Sequence, residues 1–165
     1  MKITIIGAGN IGSAVAACLA KGHLYNEKDI IISTPHTDKL ENLHKQFPAI
    51  RIMTENQYAI SEADIIILAV KPCIVDEVLS PLRFSRTQIL VSLVTGISIS
   101  HLAHLSETEM PIFRVVPNIA ITEHSSLTLI TSRKAGKEHQ QLIKQTFEEG
   151  GKSVSMKDLD AATQL

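Results

Sequence analysis

Glycines 7, 9 and 12 of this chain are spaced as Gly-x-Gly-x-x-Gly, and the chemistry open to that spacing is holding a phosphate. The segment reads Lys2-Ile-Thr-Ile-Ile-Gly7-Ala8-Gly9-Asn10-Ile11-Gly12, an apolar strand running through the glycines into a helix expected from Ser13 to Ala20. In such a turn Gly7 permits the tight bend, Gly9 lets backbone approach a pyrophosphate, and Gly12 lets helix and strand pack closely. Phosphate oxygens would meet free N–H groups at the helix N-terminus, where the dipole favours negative charge. Glycines alone would make only a strand-to-helix connection. Strand, glycines and helix together point to dinucleotide binding.

The end of the next strand bears on which dinucleotide. An NAD site places Asp or Glu there, roughly 20 residues past the glycines, to bind the ribose 2′-hydroxyl. This chain has Ser33-Thr34-Pro35-His36 and no carboxylate until Asp38. Hydroxyls can donate to a 2′-phosphate that a carboxylate would repel, which favours NADP(H), with NAD(H) as the alternative. No Arg stands here to grip the phosphate with two bonds. Ser33 and Thr34 also have a plainer role as caps of the turn before Pro35.

Two further loops follow strands. In Ala69-Val70-Lys71-Pro72, the proline fixes the backbone and holds Lys71 extended; spacing alone makes Lys71 an ordinary exposed lysine. In Arg114-Val-Val-Pro117-Asn118, Asn118 is either a turn former or a partner for a nicotinamide carboxamide. Arg114 is expected at a strand edge or beside a carboxylate. No general acid and no metal set stand out. His36, His101, His104 and His124 have no orienting carboxylate at a readable spacing, so they read as surface or capping residues.

Alternating elements must position these groups. Strands are expected at Asp29–Ser33, Ile50–Met53, Asp64–Val70, Gln88–Val94, Pro111–Val116 and Ser126–Thr131. Thr37 is expected to cap a helix through Phe47 with Leu40 and Leu43 inward, and Pro48 to stop it. A helical turn at 58–61 and helices at Cys73–Leu79, Ser98–Leu105 and Lys134–Glu149 complete the set, the last closed by Gly150-Gly151. The Asp64–Val70 run is apolar throughout, as in a strand covered on both faces. The fold class is therefore α/β, a doubly wound, mostly parallel sheet.

Composition narrows the function. The 165 residues carry 16 Lys plus Arg against 17 Asp plus Glu, dispersed, so no nucleic-acid partner is indicated. Apolar runs are strand-sized, and no membrane span or signal peptide is expected. Cys18 and Cys73 read as reduced thiols without metal-ligand spacing, consistent with a cytoplasmic setting.

The ordered set of motifs resembles the N-terminal part of the pyrroline-5-carboxylate reductase family. It comprises the glycine turn, Ser33-Thr34-Pro35, Asn56, Ala69 through Pro72, Val91-Ser92 with Gly96-Ile-Ser98, Arg114 and Pro117-Asn118. The tail Asp158-Leu-Asp160-Ala-Ala-Thr163 resembles the run leading into that family's Ser-Gly-Ser-Gly-Pro signature. The resemblance implies NADPH-dependent reduction of a cyclic imine to proline, with Gly7 through Gly12, Ser33, Thr34, Asn56 and Ala69 through Pro72 contacting the cofactor. It also brings Lys71 and Asn118 to the site. Residues 1–157 would be the Rossmann domain, and 158–165 the start of a connection to a helical, dimer-forming domain that closes over the substrate. The isolated chain would then be inactive, and a full-length protein a homo-oligomer.

Two departures stand out. Ile119-Ala120 replaces the family's Thr-Pro, and His124-Ser125-Ser126 its Gly-Glu-Gly. Two other readings share the opening motif: a deazaflavin-dependent NADP oxidoreductase and a non-catalytic dinucleotide-binding module.

Overall fold

A computed structural model describes residues 1–116, 126–148 and 151–155. Eight strands form one sheet: β1 (Ile3–Ile6), β2 (Ile30–Ser33), β3 (Arg51–Met53), β4 (Ile65–Leu68), β5 (Ile89–Ser92), β6 (Ile112–Val116), β7 (Ser126–Arg133) and β8 (Gly151–Ser155). Their order is β3-β2-β1-β4-β5-β6-β7-β8, parallel except where β6 meets β7. The first six strands thus follow the 3-2-1-4-5-6 order of a doubly wound sheet. The chain leaves β1 for one side of the sheet and returns through β4 on the other.

Six helices accompany the strands: α1 (Asn10–Lys21), α2 (Glu41–Gln46), α3 (Asn56–Ser61), α4 (Val75–Leu79), α5 (Ile99–Ser106) and α6 (Lys137–Glu148). The central strands are mostly apolar, and β4 is apolar at every position, because both faces of the sheet are covered. Ile65 and Ile67 join one core with Val15 and Leu19 of α1 and Ile143 and Phe147 of α6. Ile66 and Leu68 face the other way, into a second core with Ile60, Val75, Leu79 and Leu102 of α3, α4 and α5. Thr4, fully buried on β1, donates its hydroxyl to the Ala59 carbonyl at 2.6 Å, so its polarity is satisfied within the second layer.

Several elements differ from the sequence expectation. α1 starts at Asn10, not Ser13, because Gly12 packs as a helical residue directly over the turn. Thr37 lies inside a 3-10 turn, Thr37–Leu40, so its backbone is already helical and it caps nothing; Leu40 and Leu43 are buried as expected. The helix expected from Cys73 begins as a 3-10 turn at Pro72–Ile74 before α4. The last helix begins at Lys137 because Lys134 adopts a left-handed φ of 56°, which a right-handed helix cannot absorb. Gly151 opens β8 instead of closing that helix. Arg114 does not stand at an edge: β6 lies between β5 and β7, and Arg114 is 2 % exposed.

Among the described residues no helix is long and apolar enough to cross a membrane. None of their His, Cys, Asp and Glu residues form a group of three or more that could hold a metal ion.

Candidate functional site

Strands β1, β2 and β4 end level with one another, Ile6 pairing with Ser33 on one side and Leu68 on the other. The loops that follow therefore leave from one rim and enclose a cleft of about 430 Å3. It lies at the carboxyl ends of the strands, where the strand order reverses and open α/β sheets bind ligands.

The three glycines have three different reasons to be glycine. Gly7 has φ 113°, and a Cβ there would lie 2.3 Å from the Ala69 carbonyl oxygen. Its N–H donates to the Ser33 carbonyl at 2.9 Å, so the bend is tied to β2 as well as to the loop after β4. A Cβ on Gly12 would lie 2.4 Å from the Gly7 carbonyl oxygen, so α1 can close on the turn only without one. Gly9 is unlike either. Its φ is −75°, which any residue adopts, and a Cβ there would meet nothing within 4 Å. The protein's own packing does not require that glycine; a group arriving from outside would.

Gly9 is also the N-cap of α1 and offers no side chain to the first turn, which carries no acidic residue. Ser13 is the first residue of the helix to send its N–H back, to the Gly9 carbonyl at 2.9 Å. The N–H groups of Asn10, Ile11 and Gly12 precede it and have no acceptor within the helix, the arrangement that binds anions at helix N-termini.

Ser33 lines the cleft and donates its hydroxyl to Asn56 Oδ1 at 2.6 Å. That bond turns the carbonyl end of the Asn56 amide toward Ser33 and leaves its NH2 as the donor. Thr34 is 5 % exposed; its N–H donates to the Met53 carbonyl and its Oγ1 accepts from the His36 N–H at 3.2 Å. The hydroxyl pair is thus built into the turn, and Asn56 carries the freer donor. Sequence reading placed Asn56 here only through the family resemblance.

Ala69 abuts Gly7 and donates its N–H to the Ile6 carbonyl at 2.8 Å, while Val70 lines the cleft. Lys71 is exposed and extended, with φ −65° and ψ 143°, as Pro72 demands. It sits beside the cleft without lining it, and Pro72 is likewise exposed. Asn118 lies outside the described residues, as do Ile119, Ala120 and His124. The remaining wall went unread in the sequence: Ile74, Val78, Pro81 and Leu82, with Pro35 opposite and Glu77 among them. Ile74, Glu77, Val78 and Pro81 recur at the three- and four-residue spacing that puts residues on one helical face. That spacing was the signal available in the sequence.

None of the described histidines lines the cleft, although His36 follows Pro35 at its edge. His101 does have a carboxylate, contrary to expectation: its Nε2 lies 2.7 Å from Asp76 Oδ1, joining α5 to α4. The partners are 25 residues apart, which hid the pair in the sequence, and neither lines the cleft. His104 lines a separate cavity of about 360 Å3 at the opposite rim of the sheet, with Glu107, Glu109, Arg133 and Lys134.

Comparison with known proteins agrees with this geometry. Residues 2–96 match the family described as NADP oxidoreductase coenzyme F420-dependent. The chain is 33% identical over 132 residues to pyrroline-5-carboxylate reductase of Escherichia coli, covering 79% of this chain and 49% of that one. It is 31% identical over 169 residues to the Methanosarcina acetivorans protein of the same name, covering 99% of this chain and 62% of that one. The crystal structure of 1-pyrroline-5-carboxylate reductase from Streptococcus pyogenes superposes with a TM-score of 0.84 at 28% identity, covering 97% of this chain and 60% of its own. The chain spans about half the length of the curated relatives it matches. The resemblance carried by the motifs is borne out, and the family description also bears the name of the runner-up reading. The chain belongs to the NADP oxidoreductase, coenzyme F420-dependent, family, and within it is similar to the pyrroline-5-carboxylate reductases.

Proposed function

We propose that this chain binds NADPH across the cleft and is the cofactor-binding half of an enzyme that reduces 1-pyrroline-5-carboxylate to proline. The observation that carries the reading is Gly9: a glycine that no described neighbour requires, at the uncapped N-terminus of α1. The backbone from Gly7 through Gly12 would hold the pyrophosphate. Ser33, Thr34 and Asn56 would surround the ribose and its 2′-phosphate, with the Asn56 NH2 as a donor. Ala69 through Pro72, and Asn118, would lie toward the nicotinamide.

When bound, the cofactor supplies a hydride to the carbon of the protonated C=N bond, leaving an amine and an oxidised nicotinamide. This chain's contribution is to bind and aim. This reading assigns no general acid to the chain, since an iminium that arrives protonated needs none. In this reading residues 1–157 are the binding domain, and the groups that grip the substrate carboxylate and form a homo-oligomer belong to the part of such proteins that residues 1–165 do not span. A cytoplasmic setting belongs to the same reading, supported by the free, exposed thiol of Cys73.

The test is turnover by a protein in which residues 1–165 are joined to the substrate-binding half of such enzymes, with NADPH and the cyclic imine, followed by loss of the reduced-nicotinamide absorbance and formation of proline. Because the matched family description names coenzyme F420, the same assay is run with oxidised F420 in place of the imine. Turnover of F420 and not of the imine would replace the substrate reading while keeping the cofactor. Binding of NADPH without turnover of either would favour a binding module.

A further inference from the structure

The wall of the cleft beyond the glycine turn is apolar except at one place. Val70, Ile74, Val78, Pro81 and Leu82 face Pro35, and among the described lining residues Glu77 is the one ionisable side chain. Glu77 is exposed on α4, and no described cation pairs with it. A cleft lined largely by apolar side chains suits a heteroaromatic ring, and a lone carboxylate suits a ring edge that donates. We propose that Glu77 is a specificity-determining residue that accepts a hydrogen bond from the 6-amino group of the adenine base, selecting adenine over a 6-oxo purine. This rests on the cofactor reading above and adds which edge of the base is read.

The position supports the assignment. Ser33 and Asn56 border the cleft at the end of β2, where the ribose and its phosphate would lie. Glu77 lines the cleft from α4, together with Val78 of that helix and Ile74 of the 3-10 turn before it. A carboxylate close to the 2′-phosphate would oppose it. On the base it meets an amine, and charge-assisted acceptance is stronger than a neutral hydrogen bond. A 6-oxo purine puts an acceptor where the amine was, so the carboxylate loses a bond and faces a lone pair. Sites built to bind a substrate N–H reject analogues that lack it.

The experiment is calorimetric titration of the protein and its Glu77→Ala variant with NADPH and with nicotinamide hypoxanthine dinucleotide phosphate, reduced form. The wild-type protein should bind NADPH about tenfold more tightly than the hypoxanthine analogue, as expected for one charge-assisted bond at a solvent-accessible site. Glu77→Ala should bring that ratio near one while leaving the hypoxanthine analogue's affinity within about twofold. Equal binding of the two cofactors by wild type, or a ratio unchanged in Glu77→Ala, overturns the assignment while NADPH binding itself leaves the cofactor reading intact. Failure of folded wild-type protein to bind NADPH overturns both. Melting temperatures of both proteins show whether Glu77→Ala is folded, and Glu77→Gln, which keeps an acceptor oxygen, should restore part of the ratio.

Discussion

The two rims of the sheet hold cavities of similar size, about 430 Å3 at the carboxyl ends of the strands and about 360 Å3 at the amino ends, yet we propose a ligand only for the first. At the amino rim, two described groups of charges are paired. Lys2 Nζ lies 3.0 Å from Glu62, with Arg51 at 3.9 Å from the same carboxylate, and Lys134 pairs with Glu109. At the carboxyl rim, helix N–H groups have no acceptor in their helix, Glu77 has no described cation, and Gly9 has no steric reason within the protein. The difference teaches that volume does not mark a site. Unmet bonding capacity does.

That contrast can be broken in several places. The largest effect should come from Gly7→Ala, which forces a Cβ against the Ala69 carbonyl at a φ of 113°. It should cost roughly 3 kcal/mol or more by urea denaturation, since both strain and overpacking act on backbone. An unchanged midpoint would mean that the carboxyl rim is not held together by this contact.

Thr34→Asp should come next. Aspartate can still accept the His36 N–H, but it adds negative charge beside the expected 2′-phosphate. NADPH affinity should fall about tenfold while NADH affinity holds, read by calorimetry. Equal losses would remove Thr34 from cofactor discrimination.

The amino rim supplies the control. Lys134→Ala breaks an exposed ion pair and should cost less than about 1 kcal/mol, with NADPH affinity unaltered. A large loss of affinity there would tie the second cavity to function and undo the contrast. The smallest effect concerns pH. Hydrogen bonding and charge from Lys2, and then charge from Arg51, hold the Glu62 carboxyl below the usual carboxylate range. A lowered folded pKa contributes stability that is present above the unfolded value and is lost as pH falls through the folded one. Melting temperatures across the acid range should therefore fall slightly less steeply for Glu62→Gln than for wild type. An identical slope would mean that the pair does nothing for folding.

How much of this was legible depended on the range of the forces involved. β4 could be read because a strand covered on both faces must be apolar at each position, and Ile65 through Leu68 are. The roles of Gly7 and Gly12 were readable because the turn that needs them is local. β8 was not. Lys152-Ser153-Val154-Ser155 has no apolar run, and its place is set by pairing with β7, a long-range contact. The His101–Asp76 pair was hidden for the same reason, because only the packing of α4 beside α5 brings its partners together. Arg114 reads as a strand-edge residue or the partner of a carboxylate, and only the sheet order shows its strand to be interior.

Calorimetric titration of wild type and Gly9→Val with NADPH, alongside their melting temperatures, tests the central claim most directly. The open space around Gly9 predicts a folded variant with nearly unchanged melting temperature and an affinity reduced on the order of 100-fold, because the new side chain occupies the approach of the pyrophosphate. A folded Gly9→Val protein that binds NADPH as wild type does would contradict the account.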